Sequence, residues 1–299
     1  MKKVLLIVNP KSGKAKMRYK LLGVTQILSN NGFDVTVYPT KDRGDAAVKA
    51  SSIKQDEYER IIVAGGDGTL NEVLDGLMRA GTTSKLGYIP AGTSNEWSSN
   101  LSIPRSIEKA AEYATTDHVV DLDIGKFNEN YFSYTASFGA FTDAAYSTSQ
   151  DIKNVLGQAA YFFEGVKSVA NIKPVHLKFE SEEFTTEGDY LFGAISNSFS
   201  VGGIVKYDKV PVELNDGIFE VCLIKKPANI IELQSAVDAI LRHDLTREGL
   251  EFFRAKEITV TGGEGLAWTL DGEFCEGREK TVIKNIHSAL HLVVPDKKS

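Results

Sequence analysis

The chain has 299 residues, 42% of them hydrophobic and 25% charged, with a net charge of −6 at pH 7; that is long enough for two domains with a core each and close to the soluble globular average. The acidic balance argues against general nucleic-acid binding, which needs a basic face, and no apolar run approaches the ~18 residues that cross a bilayer. Two cysteines, Cys222 and Cys275, and five scattered histidines exclude a disulfide framework and a zinc site of recognisable spacing, as suits a reducing cytosol.

In chain order, Met1-Lys2-Lys3 followed by Val4-Leu5-Leu6-Ile7-Val8 superficially resembles a secretory leader, but the apolar run is short and ends in Asn9-Pro10-Lys11 without a small-residue cleavage site. Residues 4–8 are therefore read as a first strand. The polar turn after it, Asn9-Pro10-Lys11-Ser12-Gly13, stands at a strand's carboxyl end, where open α/β sheets bind ligands. Asn9, Ser12 and Gly13 would supply hydrogen-bonding groups and Lys11 or Lys14 would offset phosphate charge, although a turn of this composition can also be a plain connection. Leu21, Leu22, Val24, Ile27 and Leu28 recur at helical spacing and predict a helix ending near Asn31-Gly32. Residues 35–38 read as a second strand closed by Pro39-Thr40, and 44–53 as a second helix. Lys11, Lys14, Lys16, Arg18 and Lys20 form a basic cluster in an otherwise acidic chain. A basic residue near an anionic leaflet contributes on the order of 1 kcal/mol, so reversible membrane docking and a solvated helix face are both open.

The pattern centres on residues 60–72. Ile61, Ile62, Val63 and Ala64 form a continuous apolar run, as in a parallel strand covered on both faces. Gly65, Gly66 and Gly68 then let the backbone approach a ligand closely. Thr69 or Asn71 is expected to cap the helix that continues through Val73, Leu74, Leu77 and Met78, which aims N–H groups at the turn and makes an anion site. Glycine clusters alone are weak evidence, since many only join a strand to a helix. Asp67 changes the weighting. A carboxylate beside bound phosphates is repelled unless a divalent cation or an acceptor hydroxyl stands between them, so it points to Mg²⁺-assisted chemistry. Residues 86–89 read as a fourth strand ending in Pro90-Ala91-Gly92-Thr93-Ser94-Asn95, and 106–114 as the last helix of a β-α repeat with a parallel sheet.

From residue 119 the period changes from helical to alternating. Residues 119–125, 131–137, 175–179, 183–190, 191–196, 218–224, 257–260, 268–270, 281–283 and 290–294 read as strands. Helical stretches at 156–169 and 230–241 interrupt them, with residues of core type. A second, antiparallel β domain of sandwich type is expected, with its boundary near Gly125 and its last strands able to return toward the first domain. Two Asp-Gly turns occur in it, Asp216-Gly217 and Asp271-Gly272. Each by itself is a hairpin signal, but the second leaves Glu273 unexplained by turn chemistry.

The run Gly65-Gly66-Asp67-Gly68-Thr69 with Asn71-Glu72 resembles the nucleotide-binding signature of the diacylglycerol kinase catalytic domain family, which includes sphingosine kinases and bacterial lipid kinases. NAD kinases share its core, and phosphofructokinases have a near variant. The first turn is similar to the family's Asn-Pro-x-Ser-Gly motif. Residues 90–96 are similar to its Pro-x-Gly-Thr-x-Asn-Asp motif, with Glu96 where the family commonly has Asp. The resemblance implies an ATP site formed by Asn9, Pro10, Lys11, Ser12, Gly13, Thr40, Gly65, Gly66, Asp67, Gly68, Thr69, Asn71, Glu72, Gly92, Thr93 and Asn95, with Asp67 organising the Mg²⁺-nucleotide. It implies Glu273 and Asp67 as the catalytic residues, Glu273 as a general base toward the acceptor hydroxyl. It also implies a structural Mg²⁺ on Asp216 and the main-chain carbonyls of Glu213 and Ile218, with water completing the octahedron.

The expected architecture is α/β plus β: an N-terminal parallel-sheet, Rossmann-like nucleotide domain of the NAD-kinase and diacylglycerol-kinase type over residues 1–125, and a C-terminal antiparallel β-sandwich over 126–299, with the acceptor in the cleft between them. The expected activity is ATP-dependent transfer of the γ-phosphoryl group to a lipid hydroxyl, first of all diacylglycerol to phosphatidic acid. The protein is expected in the cytoplasm, in peripheral and reversible contact with anionic membrane, and a homodimer stays open. The rivals are a sphingoid-base or other lipid-alcohol kinase, a soluble-metabolite kinase of NAD type, which residues 92–95 and 271–273 disfavour, and a non-catalytic nucleotide or lipid sensor, which Asp67 and Glu273 oppose and Glu96 keeps open.

Overall fold

The structure, a computed structural model, describes residues 2–93, 95, 97–98, 101–139, 173–201, 205–247 and 249–296. It forms two compact units, Met1–Asp123 with Ser288–Ser299, and Ile124–His287.

In the first unit the apolar runs that need cover on both faces become inner strands. β1 (Lys2–Val8) lies between β2 (Phe33–Pro39) and β3 (Arg60–Gly65), and β3 pairs with β4 (Lys85–Pro90), all in parallel. Every residue of β3 is buried. Val8 stands beside Pro39 and Ala64, and Ala64 beside Ile89. The four strands therefore end at one level, and the turns that follow them share one edge of the sheet.

The connecting helices are α1 (Ser12–Asn30), α2 (Asp45–Ser51), α3 (Asp67–Ala80) and α4 (Ile107–Tyr113). α1 buries Met17, Val24 and Leu28, while Tyr19 and Leu22 on its outer side stay exposed. α3 buries Leu70, Val73, Leu74 and Leu77 and ends at Gly81, whose φ of 65° makes the left-handed helix stop. Its start differs from the expected one. Gly66, in extended conformation, is the N-cap and its carbonyl accepts from the Thr69 and Leu70 N–H groups, so Thr69 and Asn71 lie inside the helix. A glycine cap lets the helix begin directly at Asp67. The buried Arg60 at the head of β3 donates to the Ala114 carbonyl and, at 3.1 Å, to Asp117, with its guanidinium 5.2 Å from the Phe33 ring centroid. Burial lowers its pKa and Asp117 opposes that shift, which makes it a structural cation tying β3 to the end of α4.

β5 (Val119–Phe127) leads into the second unit, where β6 (Asn130–Phe132), β7 (Thr135–Gly139), β8 (Val175–Glu180), β9 (Thr185–Ser196), the short β10 (Ser200–Val201) and β11 (Val205–Lys206), β12 (Phe219–Lys225), β13 (Leu250–Ala255), β14 (Glu257–Thr261), β15 (Ala267–Leu270), β16 (Glu273–Glu276) and the first part of β17 (Lys280–Val293) follow, the residues of β17 from Ser288 on belonging to the first unit. Pairing runs antiparallel along β16-β15-β7-β9-β8-β14-β17, with β12 joining β9 to β13. One core centres on Trp268, whose ring centroid is 5.0 Å from that of Phe127 and 4.8 Å from that of Phe138. Another lies under α5 (Ile230–Leu241), which brings Ala236, Ala239 and Ile240 onto Phe192, Ala194, Cys222 and Ile224. The architecture is α/β plus antiparallel β, as the change of period predicts.

Several boundaries differ for physical reasons. The expected strand 131–137 is broken at Ser133 and Tyr134, because a buried carboxylate from elsewhere takes their N–H groups. The expected strands 183–190 and 191–196 fall in one strand, β9, which starts at Thr185, and 281–283 and 290–294 fall in β17, which ends at Val293. β17 keeps pairing past Ser288, which takes a φ of 49° and donates its N–H to Asp123 at 2.7 Å. β13 and β16 were not expected: the first is separated from β14 by Lys256 alone, and the second is mostly exposed and charged. The expected helix 156–169 lies outside the described residues.

Candidate active site

Where β1, β3 and β4 end, three turns touch. Asn9 donates from Nδ2 to the Thr69 hydroxyl at 3.0 Å and accepts the Lys11 N–H at 3.0 Å. Gly13, with a φ of +56°, lies so close to Ala91 that a Cβ would stand 2.1 Å from the Ala91 carbonyl oxygen. Gly66 and Gly92 face each other, and a Cβ on Gly92 would stand 2.6 Å from the Gly66 Cα. Asn95 closes onto Gly92, accepting the Gly92 N–H and donating to the Gly92 carbonyl, both at 2.9 Å. Closely apposed bare backbone of this kind is what lets a polyphosphate meet main-chain N–H groups.

The remaining expected nucleotide residues divide by position. Asp67 is half-buried in the first turn of α3, at the dipole end that favours negative charge. Thr40 is buried and its N–H donates to the Val8 carbonyl at 2.8 Å, so it stands at the same level as the turns. Thr93 is exposed, and Pro10, Ser12 and Asn71 are half-buried. Lys11 turns toward the loop after β2, with Nζ donating to the Lys41 carbonyl at 3.1 Å and 3.8 Å from Asp42. Glu72 serves α2, accepting the Gly44 and Ala46 N–H groups at 2.8 and 3.3 Å. Ser94 and Glu96 lie outside the described residues, as do the side chains of Lys14 and Lys16.

Sequence reasoning missed Tyr88. Buried in β4, its hydroxyl is 3.3 Å from both the Gly65 carbonyl and the Asn95 side-chain oxygen, linking two of the turns. Burial first, and the Asp67 charge second, push its phenol far up, so it remains a neutral donor. The only available signal was an aromatic residue in a strand beside the glycine turn.

In the second unit, Asp271 and Gly272 take φ values of 50° and 84°, a left-handed pair that makes a tight hairpin between β15 and β16, with Leu270 opposite Glu273. Glu273 is exposed at the start of β16. Asp271 is buried, and its carboxylate accepts the N–H groups of Ser133, Tyr134 and Thr135 and the Ser133 hydroxyl, at 2.6 to 2.9 Å. Burial raises its pKa, against those donors.

The other Asp-Gly turn has a different neighbourhood. Asp216 accepts the Ile218 N–H at 3.0 Å and pairs with Arg254, which also donates from Nε to the fully buried Glu220 at 3.2 Å. Burial, helped by the Asp216 charge and opposed by Arg254, raises Glu220 to about 7. Arg254 could be foreseen only through the register of β12 with β13, in which it faces Glu220.

Parallel strands ending in apposed glycine turns before a helix N-terminus suit the phosphates of a nucleotide, and a carboxylate among them suits the metal that phosphoryl transfer uses. A family model described as the diacylglycerol kinase catalytic domain matches residues 3–127. A diacylglycerol kinase of Bacillus subtilis (strain 168) is 32% identical over 301 residues, covering 100% of this chain and 98% of its own. That of Staphylococcus carnosus is 32% identical over 275 residues, 91% and 89% of the two chains. A crystal structure from Bacillus anthracis, of a protein provisionally named a diacylglycerol kinase, superposes with a TM-score of 0.80 at 26% identity, covering 98% of this chain and 95% of that one. The chain belongs to the diacylglycerol kinase family, and is an enzyme of the lipid kinase class that uses ATP as phosphoryl donor.

Proposed function

We propose that the enzyme phosphorylates diacylglycerol, passing the γ-phosphoryl group of ATP to the free hydroxyl and forming phosphatidic acid. The observation that carries the nucleotide half is the mutual contact of the three turns, Asn9 on Thr69, Gly13 on Ala91 and Gly66 on Gly92. The acceptor follows from the names of the relatives. In this reading the first unit binds ATP and the second receives the lipid. Gly13, Gly66, Gly68 and Gly92 let the main chain meet the phosphates, Asn9 and Asn95 hold the turns in shape, and Thr40 lines the nucleotide.

Asp67 would hold the Mg²⁺ that accompanies the nucleotide: it stands half-buried at the head of α3 beside the glycine turns, and Mg²⁺ with a nucleotide takes one or two carboxylates plus phosphate oxygens and water. Bound there, it would neutralise charge developing on the transferred group. A second, structural Mg²⁺ is proposed on Asp216 with the carbonyls of Glu213 and Ile218. That hard-oxygen set suits the ion, and Arg254 already shares Asp216, so the ion would be weakly held. Glu273 is proposed as the general base that takes the acceptor's hydroxyl proton as its oxygen attacks the γ-phosphorus. Reversible contact with anionic membrane through the basic cluster of Lys11, Lys14, Lys16, Arg18 and Lys20 would bring the enzyme to its substrate; among the described residues no helix is long and apolar enough to cross a membrane.

The test is phosphoryl transfer from radiolabelled ATP to diacylglycerol, sphingosine and NAD, with wild type and Glu273→Gln. Diacylglycerol should be preferred, and the variant should lose about 10²- to 10⁴-fold in kcat with ATP affinity unchanged. Preferred labelling of sphingosine or NAD would overturn the acceptor assignment, and full turnover by Glu273→Gln with chemistry rate-limiting would overturn the base.

A further inference from the structure

A two-residue Asp-Gly turn needs only its left-handed backbone, and an Asp in such a turn ordinarily bonds its own neighbours in sequence. Asp271 does something else. Its buried carboxylate collects the main-chain N–H groups of Ser133, Tyr134 and Thr135 and the Ser133 hydroxyl, from the connection between β6 and β7 and the first residue of β7. Its own N–H donates to the Thr135 carbonyl at 2.9 Å, and its carbonyl accepts the Tyr134 hydroxyl at 3.2 Å. The connection leaves the sheet to make these bonds, since β6 stops at Phe132 and β7 starts at Thr135.

Two residues further on stands Glu273, at the head of β16, a strand that among the described residues pairs with β15 alone, at the end of the pairing path. Edge strands at hairpin tips open most easily, so the place of the Glu273 carboxylate depends on how firmly the turn before it is held. We propose that Asp271 is the positioning residue for Glu273: by clamping residues 133–135 it fixes the turn from which the general base projects. The inference rests on the reading of Glu273 as base. It also accounts for an ionisable carboxyl rather than an amide at this position. A carboxylate accepts several N–H groups at once, whereas half of an Asn amide would present donors to donors.

A double-mutant cycle tests this, with Asp271→Asn and Glu273→Gln alone and together, assayed at saturating ATP and normalised to the folded fraction from thermal unfolding. Asp271→Asn should lower kcat about 10- to 100-fold, the scale of a misplacement near 1 Å, with KM for ATP unchanged. In the Glu273→Gln background it should cost less than about 2-fold more, because nothing is left to position. Ser133→Ala, which removes one neutral donor and keeps the fold if Asp271→Asn does not, should show the same pattern at about 3-fold. Unchanged kcat in Glu273→Gln alone would remove the base itself and the proposal with it. A strong Glu273→Gln defect onto which the Asp271→Asn or Ser133→Ala loss multiplies in full would leave the base standing and overturn the positioning role.

Discussion

Gly92→Ala places a methyl group where two of the turns touch. Its Cβ would lie 2.6 Å from the Gly66 Cα, 2.8 Å from the Asn95 side-chain oxygen and 3.5 Å from the Gly66 nitrogen. Carbon atoms in contact settle at about 3.5 to 4.0 Å, so the turns must part by roughly 1 Å. Neither neighbour yields freely: one is main chain, and the other already accepts the Gly92 N–H at 2.9 Å. The overpacking costs about 1 to 3 kcal/mol locally, and a 1 Å displacement of groups that orient a substrate costs about 100-fold in rate. We therefore expect kcat/KM for ATP to fall about 100-fold and the calorimetric Kd for ATP to rise at least about 10-fold, equivalent to ~1.4 kcal/mol. Gly23→Ala is the control, since nothing lies within 4 Å of its Cβ in α1; ATP binding should not change. A folded Gly92→Ala enzyme that binds and uses ATP like wild type would show that the Gly66–Gly92 contact only connects strands to helices, and the phosphate-grip argument would fail.

Asp216→Ala removes an acid from Arg254 and should lower stability by about 1 to 3 kcal/mol with ATP affinity unchanged; if Mg²⁺ raises the Tm of wild type and of the variant equally, the structural-metal assignment is wrong. Arg18→Glu, in a helix with no acidic residue in its first turn, should weaken sedimentation with anionic vesicles but not neutral ones, and salt should do the same; equal binding to both vesicle types would refute basic docking. His176 has its pKa raised first by the hydrogen bond to Asp189 and then by that to Glu187. Because the folded pKa lies above the unfolded one, this stabilisation is full below about pH 6.5 and fades as pH rises through the raised value. Proton NMR should show the midpoint dropping in Asp189→Asn, and an unmoved midpoint would remove that cause.

What was legible in the sequence is what depends on neighbours along the chain. Ile61 to Ala64 had to be a covered strand, and the three polar turns stand at strand ends because the β-α order puts them there; the parallel register then aligns Val8, Ala64 and Ile89 and brings the turns together. That Gly13 and Gly92 are glycines for a shared reason, close approach of backbone to backbone, emerges only from the distances to Ala91 and Gly66. Glu72 shows the reverse. It lies only three residues after Thr69 on the same helix, and so near it on the helix surface, yet its carboxylate is taken by the Gly44 and Ala46 N–H groups at the start of α2. Those partners lie 26 to 28 positions away in the chain, so the motif gave no sign of them.

The second unit was less legible because its decisive contacts join residues far apart in sequence. Asp271 and Ser133 are separated by 138 positions, and Arg254 meets Asp216 and Glu220 through a strand without turn signals at its boundary with β14. Alternation identifies a strand and its two faces but says nothing about which strand lies beside it. In this sheet β7 pairs with β9 and β15, neither of them its neighbour in the chain. The turn carrying Glu273 is thus held by a carboxylate whose partners only the topology can supply. A variant scan of residues 271–273 that ignored Ser133 to Thr135 would confuse loss of the proposed base with loss of its proposed support, and only the double-mutant cycle separates them, because a lost support has no effect once the base is absent.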